Sequence, residues 1–166
     1  MLQKTGIPTS DDLKKVIPPE ERLKKGPVAI VECFTKIPCN PCYHSCPVGA
    51  FNEFADINDV PKLDYNKCTG CGMCIAQCPG LAIFVVDYTF SKDRGIVRIP
   101  YEYLPLPVKG QEVIALNRAG EDVGKAIVEK VQSSPSFSKT NIIWLSVPKD
   151  QLMKVRNFRV GDNNDE

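Results

Sequence analysis

The chain has 166 residues, enough for one compact domain or two small ones. Its 21 basic and 20 acidic side chains nearly balance, so the composition gives no sign of the basic face that a nucleic-acid-binding protein needs. No apolar run approaches the roughly 20 residues that cross a bilayer, and the first residues lack the apolar region of a secretory signal. We therefore expect no membrane span and a cytoplasmic location, where thiols stay reduced.

Short helices are predicted in an N-terminal leader, residues 1–27. Thr9 and the acidic residues after it can cap a first helix, and Pro19 and Gly26 are typical of the start and end of a second. We expect the leader to be a solvated surface segment, with contact to a partner protein as the alternative. Residues 161–166 are predicted to be a frayed acidic tail.

All eight cysteines lie in two related runs that end with proline. The first run holds Cys33, Cys39, Cys42 and Cys46, and the second holds Cys68, Cys71, Cys74 and Cys78. The second run has the spacing C-x2-C-x2-C-x3-C-P, which is typical of iron–sulfur ligation in bacterial ferredoxins. The first run repeats its last part, C-x2-C-x3-C-P. Since two [4Fe–4S] clusters need eight thiolates, the sequence predicts two such clusters.

Zinc is the main alternative, because each run contains a C-x2-C pair. A zinc site does not account for Cys74 and Cys78, nor for the proline after each run. Disulfides are disfavoured by the tight clustering of the cysteines and by the missing signal. A zinc-binding interaction module therefore remains as an alternative of another class. The single histidine, His44, is a candidate ligand or proton carrier, but eight cysteines already suffice for two clusters.

Strands are predicted at 28–31, 61–65 and 81–86, with a short helix or turn after each cysteine run. The order β-α-β-β-α-β has an internal twofold repeat and resembles the two-cluster bacterial ferredoxin family over residues 28–88. This resemblance implies an α+β fold, with a ferredoxin-like module at 28–90. We also expect the glycines of the second run, Gly70 and Gly72, to direct backbone amides at the sulfurs.

The same resemblance implies that each cluster takes three cysteines from one run and the fourth from the other. Cluster 1 would be held by Cys33, Cys39, Cys42 and Cys78, and cluster 2 by Cys46, Cys68, Cys71 and Cys74. The chain departs from the family at residues 34–38, a five-residue spacer where the family usually has two. A longer loop is expected to change the hydrogen bonds to the sulfurs and so the potential of cluster 1.

Cysteine is absent from residues 91–160, where several short strands predict a small, mostly-β extension like a barrel or sandwich. Trp144 is expected in its core. The extension is interpreted as a docking platform, with a cap that shields a cluster as the alternative. The layout resembles the ferredoxin-like small subunits of FAD-dependent dehydrogenases of amino acids such as proline or hydroxyproline.

No substrate pocket or catalytic motif is evident in the sequence, so the resemblance implies an electron-transfer subunit rather than an enzyme by itself. It would carry electrons between an FAD-containing dehydrogenase subunit and a further redox carrier. A free-standing two-cluster ferredoxin with a β extension is the alternative.

Overall fold

The structure, a computed structural model, describes residues 2–161 and combines short helices with one large sheet. All but the first residue of the predicted tail lie outside the described residues. The helices are α1 (Leu2–Thr5), α2 (Ser10–Lys14), α3 (Glu20–Leu23), α4 (Pro41–Ser45) and α5 (Met73–Gln77). The strands are β1 (Val28–Val31), β2 (Ile83–Asp87), β3 (Arg94–Tyr101), β4 (Glu112–Leu116), β5 (Asp122–Gln132), β6 (Asn141–Pro148) and β7 (Asn157–Arg159). Among residues 2–161, no helix is long and apolar enough to cross a membrane.

The seven strands form one open antiparallel sheet in the order β1-β2-β3-β6-β5-β4-β7. The barrel or sandwich expected for residues 91–160 is therefore wrong, since these strands extend the sheet that β1 and β2 begin. The cause is the short connection after β2, which turns the chain back so that Val97 pairs with Val86. The predicted boundary between residues 90 and 91 falls in this connection, and the division into domains stays a prediction.

The predicted strands at 28–31 and 81–86 are confirmed as β1 and β2. The side chains of both strands are buried on both faces of the sheet, which explains their nearly continuous apolar sequence. The strand predicted at 61–65 is reduced to a single antiparallel bridge between Phe51 and Leu63. Pro61 lacks the amide hydrogen that a longer ladder would need.

The two faces of the sheet pack against different groups of residues. Val28 and Ile30 point into an apolar core that extends as far as Phe158 on β7. Ala29 and Val31 point to the opposite face, where they pack with the cysteine runs. The sheet curls around the first core. Tyr101 on β3 and Phe158 on β7, which are not neighbouring strands, therefore meet with their rings stacked and the ring centroids 4.5 Å apart.

The leader is attached to the first core rather than free. Val16 and Leu23 pack against that core, and the hydroxyl of Tyr65 donates a hydrogen bond to the Val16 carbonyl at 2.8 Å. The predicted cap at Thr9 is confirmed: its hydroxyl oxygen accepts from the Asp12 amide, and Asp12 accepts from the Thr9 amide in return.

A buried carboxylate next to β1 forms ion pairs with two arginines from the segments that flank β4 and β7. Glu32, directly after β1, accepts hydrogen bonds from Arg118, between β4 and β5, and from Arg156, before β7, at 2.6–2.8 Å. Burial by itself raises the pKa of Glu32, but the hydrogen bonds and charges of the two guanidinium groups bring this pKa below its ordinary value. The ionised form of Glu32 is therefore part of the folded structure.

We predict that Glu32→Gln lowers the free energy of unfolding by about 3–5 kcal/mol, because a buried arginine would lose its counter-charge. Urea unfolding of the cluster-loaded protein measures this change. Glu20→Gln is the matched control: Glu20 pairs with Lys24 at 2.7 Å on the surface, where solvent screens the pair, so its loss should change the free energy of unfolding far less.

The contribution of Glu32 to the free energy of unfolding should fall at acid pH. Because folding lowers the pKa of Glu32, its contribution is complete above the unfolded pKa of about 4.3 and is lost as the pH falls through the folded pKa. The difference between wild type and Glu32→Gln should shrink at acid pH, and a difference that grew there would contradict the assignment.

Candidate iron–sulfur cluster site

The internal repeat of the sequence is also a repeat of backbone geometry. Helices α4 and α5 are each followed by a cysteine with nearly identical dihedral angles, φ −80° and ψ 110° at Cys46 and φ −79° and ψ 110° at Cys78. The Sγ atom of Cys46 accepts a hydrogen bond from the Ala50 amide at 3.3 Å, and that of Cys78 accepts one from the Ala82 amide at 3.4 Å. The two halves therefore place equivalent sulfurs in equivalent ways.

Four cysteines line one small cavity next to β1, together with apolar side chains such as Ala29 and Phe51. They are the four predicted for cluster 2: Cys46, Cys68, Cys71 and Cys74. Burial raises the pKa of the Cys74 thiol, and the nearby Cys68, Cys71 and Cys46 raise it further. Mutual repulsion of this kind is offset when iron binds the thiolates, so this donor set fits a cationic iron cluster.

The other four cysteines form a second group from four parts of the chain. Cys33 follows β1, Cys39 precedes α4, Cys42 lies in α4 and Cys78 follows α5. Burial raises the pKa of Cys42 to about 11, with further contributions from Cys78, Cys39 and Cys33. Burial likewise raises the pKa of Cys33, again with Cys78 and Cys39 contributing. The long spacer at 34–38 thus leaves Cys33 beside the other three thiols.

Within residues 2–161, no three His, Cys, Asp or Glu side chains are grouped so as to hold a single metal ion. In a cubane cluster, by contrast, each of the four thiolates binds a different iron. His44 is exposed on α4, where its ring lies 5.1 Å from the ring of Tyr43.

Glycine at position 70 is required by a close approach of two backbones. Gly70 has φ +67°, and a Cβ atom there would lie 2.5 Å from the backbone of Pro27. Its amide donates to the Sγ atom of Cys68 at 3.4 Å, as does the Ala29 amide at 3.5 Å. The amide expected at Gly70 is thus confirmed, whereas Gly72 provides the left-handed residue, with φ +86°, that begins α5.

Two arginines outside the runs also contact the second run, and neither was identified from the sequence. Arg22 of α3 donates to four backbone carbonyls, including that of Cys68 at 2.6 Å. Arg98 of β3 donates to the carbonyl of Gly70 at 2.7 Å, and its guanidinium lies 3.7 Å from the ring centre of Trp144. A charged residue inside the apolar strand sequence Ile-Val-Arg-Ile was the one available signal for Arg98.

Residues 31–83 match the family described as the 4Fe-4S dicluster domain. This match supports a ferredoxin-type domain with two [4Fe–4S] clusters in this part of the chain.

Three similar proteins are named as enzyme subunits. Pyruvate synthase subunit PorD of Methanocaldococcus jannaschii is 45% identical over 47 residues, 28% of this chain and 52% of that protein. A selenate reductase subunit of Mesobacillus selenatarsenatis is 38% identical over 55 residues, 30% of this chain and 18% of that protein. The thiosulfate reductase electron transfer subunit PhsB of Salmonella typhi is 35% identical over 51 residues, 28% of this chain and 26% of that protein.

The chain spans about half the length of the first of these relatives and about a quarter or less of the other two. No solved structure matches it. None of these three relatives is named as a subunit of an amino-acid dehydrogenase.

We predict that Gly70→Ala removes cluster 2, because its Cβ would collide with the Pro27 backbone. The iron content should fall by about half, as measured by iron and acid-labile sulfide assays. Gly120→Ala is the matched control, since Gly120 also has positive φ, +80°, but nothing lies within 4 Å of its added Cβ. It should cost only about 1–2 kcal/mol of stability and keep all the iron. Full iron content in Gly70→Ala would contradict the role of this close approach.

Proposed function

We propose that the chain is an electron-transfer subunit that takes electrons singly from a redox partner and passes them through two [4Fe–4S] clusters to another carrier. The observation that carries this proposal is the proximity of the thiols within two sets of four cysteines, one of which lines a small cavity beside β1. Each cluster supplies one-electron chemistry when bound. The protein contributes thiolate ligands, apolar surroundings and backbone amides directed at the sulfurs.

The proposed ligands of cluster 1 are Cys33, Cys39, Cys42 and Cys78, and those of cluster 2 are Cys46, Cys68, Cys71 and Cys74. In this assignment, the cysteine that follows α4 and the one that follows α5 each serve the cluster of the other run. The mutual effects of the thiols on their pKa values support it. Crossed ligation would join the two cysteine runs through both clusters.

The proposed electron donor is an FAD-containing dehydrogenase subunit in the cytoplasm, in which the flavin and the substrate pocket would lie. The relatives support a partner enzyme in general, since they are named as subunits of a pyruvate synthase and of two reductases. The connection between β3 and β4 supports a docking role for the extension: Tyr103, Leu104 and Val108 are 66%, 85% and 67% exposed although they are apolar.

A shielding role for the extension also has a specific observation in its favour. Phe137 and Ile142 are buried, and Trp144 is half-buried, on the face where the cysteines pack. The extension therefore supplies part of the apolar wall of the cluster site. Shielding and docking are compatible, because they use different parts of the extension.

Anaerobic purification from the native host, through a tag on this chain, tests the proposal. We expect about eight irons and eight sulfides per chain together with a flavin-containing partner. The same iron content with no partner would favour a free ferredoxin. A partner without flavin would keep the electron-transfer role and overturn the flavoprotein assignment.

Within the proposed ligand set, Cys33 departs most from the family pattern, because a long spacer follows it. We predict that Cys33→Ala loses cluster 1 and keeps cluster 2, so that the iron content falls by about half and one electron paramagnetic resonance (EPR) signal of the reduced protein disappears. Ser45→Ala, which removes a hydroxyl that donates to the Cys42 carbonyl, is the control and should keep both clusters. Two intact clusters in Cys33→Ala would remove this residue from the ligand set.

A further inference from the structure

The loop at residues 68–72 is held from its outer side by two arginines that belong to neither cysteine run. Arg22 comes from the leader and binds the carbonyl of Cys68. Arg98 comes from β3 in the extension and binds the carbonyl of Gly70 at 2.7 Å, with that of Cys71 at 3.4 Å. Neither arginine lines the cavity of cluster 2, whereas the loop between them does. We call these two residues the arginine clamp.

Peptide geometry gives the clamp an effect on the far side of the loop. In a planar trans peptide the N–H points opposite to the C=O. When Arg98 holds the Gly70 carbonyl, the amide of Cys71 in the same peptide must point away from the guanidinium. In the same way, Arg22 at the Cys68 carbonyl fixes the direction of the Thr69 amide. Successive amides that point to one side of a loop form an anion-binding nest, a device used at iron–sulfur sites.

The guanidinium of Arg98 also brings a positive charge that its own surroundings do not neutralise. Arg98 is only 8% exposed, and its hydrogen-bond partners within residues 2–161 are uncharged carbonyls. Its Nε atom is buried and has no hydrogen-bond partner there. The carboxylate of Asp87 acts on it at longer range, and the Trp144 ring covers one side of the guanidinium plane.

Reduction of a [4Fe–4S] cluster adds one electron, and so one negative charge, without breaking a bond. A nearby buried cation and amides directed at the sulfurs stabilise the reduced form more than the oxidised form. We infer that Arg98, assisted by Arg22, is a positioning residue that raises the reduction potential of cluster 2. The inference rests on the proposed function and assigns to the extension a part in setting where electrons reside.

EPR-monitored redox titration of the full chain with both clusters bound tests this inference. Cys39→Ser and Cys71→Ser, one in each cysteine group, first assign the two signals to clusters 1 and 2. The test variant is Arg98→Gln, and Arg98→Lys keeps the charge but loses the forked guanidinium. Arg94→Gln is the matched control: Arg94 lies about 13 Å earlier on the same face of β3 and binds Ser146 instead of the loop.

We expect Arg98→Gln to make the potential of cluster 2 more negative and to leave that of cluster 1 unchanged. Arg98→Lys should give a smaller shift in the same direction, and Arg94→Gln should shift neither potential. The difference between wild type and Arg98→Gln should persist at 1 M salt, where the Debye length is about 3 Å, because the charge is buried.

An unchanged cluster 2 potential in Arg98→Gln with full iron content, or equal shifts of both clusters, would overturn the inference. If Arg98→Gln does not retain its clusters, Arg98→Lys and Arg22→Lys replace it, since both keep the charge and lose only the forked guanidinium. A cluster 2 potential that is unchanged in both variants would then overturn the inference. These potentials are measured on the isolated chain, so the inference can fail while the partner assignment stands, and the reverse.

Discussion

Antiparallel pairing of β1 with β2 is the constraint on which the rest of the structure depends. The two strands bracket the cysteine runs, so their pairing brings the beginning of the first run to the end of the second. The ladder continues one step further, from the Glu32 amide to the Ala82 carbonyl at 2.8 Å, and this places Cys33 beside Cys78. The long spacer after Cys33 can therefore loop outward without moving that sulfur away from its group.

The same two strands decide what the extension can do. Because β3 pairs directly with β2, residues of β3 and β6 continue the face on which the cysteine runs pack. Arg98 and Trp144 are opposite one another on these strands, and Arg98 reaches the loop of the second cysteine run. An extension folded as a separate barrel would not have delivered a side chain to that loop. The shared sheet thus joins the proposed cluster site to the part of the chain that is proposed to dock a partner.

Local patterns predicted the parts of the structure that local forces determine. Cysteine spacing gave both clusters, and the apolar run at 28–31 gave a strand, because each signal lies within a few residues. The single bridge between Phe51 and Leu63, the open sheet and the contacts of Arg22 depend on pairings across a dozen or more residues. Such pairings leave no periodic trace in the sequence. Arg98 was not identified either, although a charge inside an apolar strand was a signal that could have been followed.

In the proposed function, this chain holds two clusters that each accept one electron. Anaerobic reductive titration of the purified protein, followed by visible absorbance and EPR, tests it most directly. We predict an uptake of about two electrons per chain, with two reduced-cluster signals that appear at separate potentials. Uptake of a single electron, or of none while the iron content is complete, would contradict it.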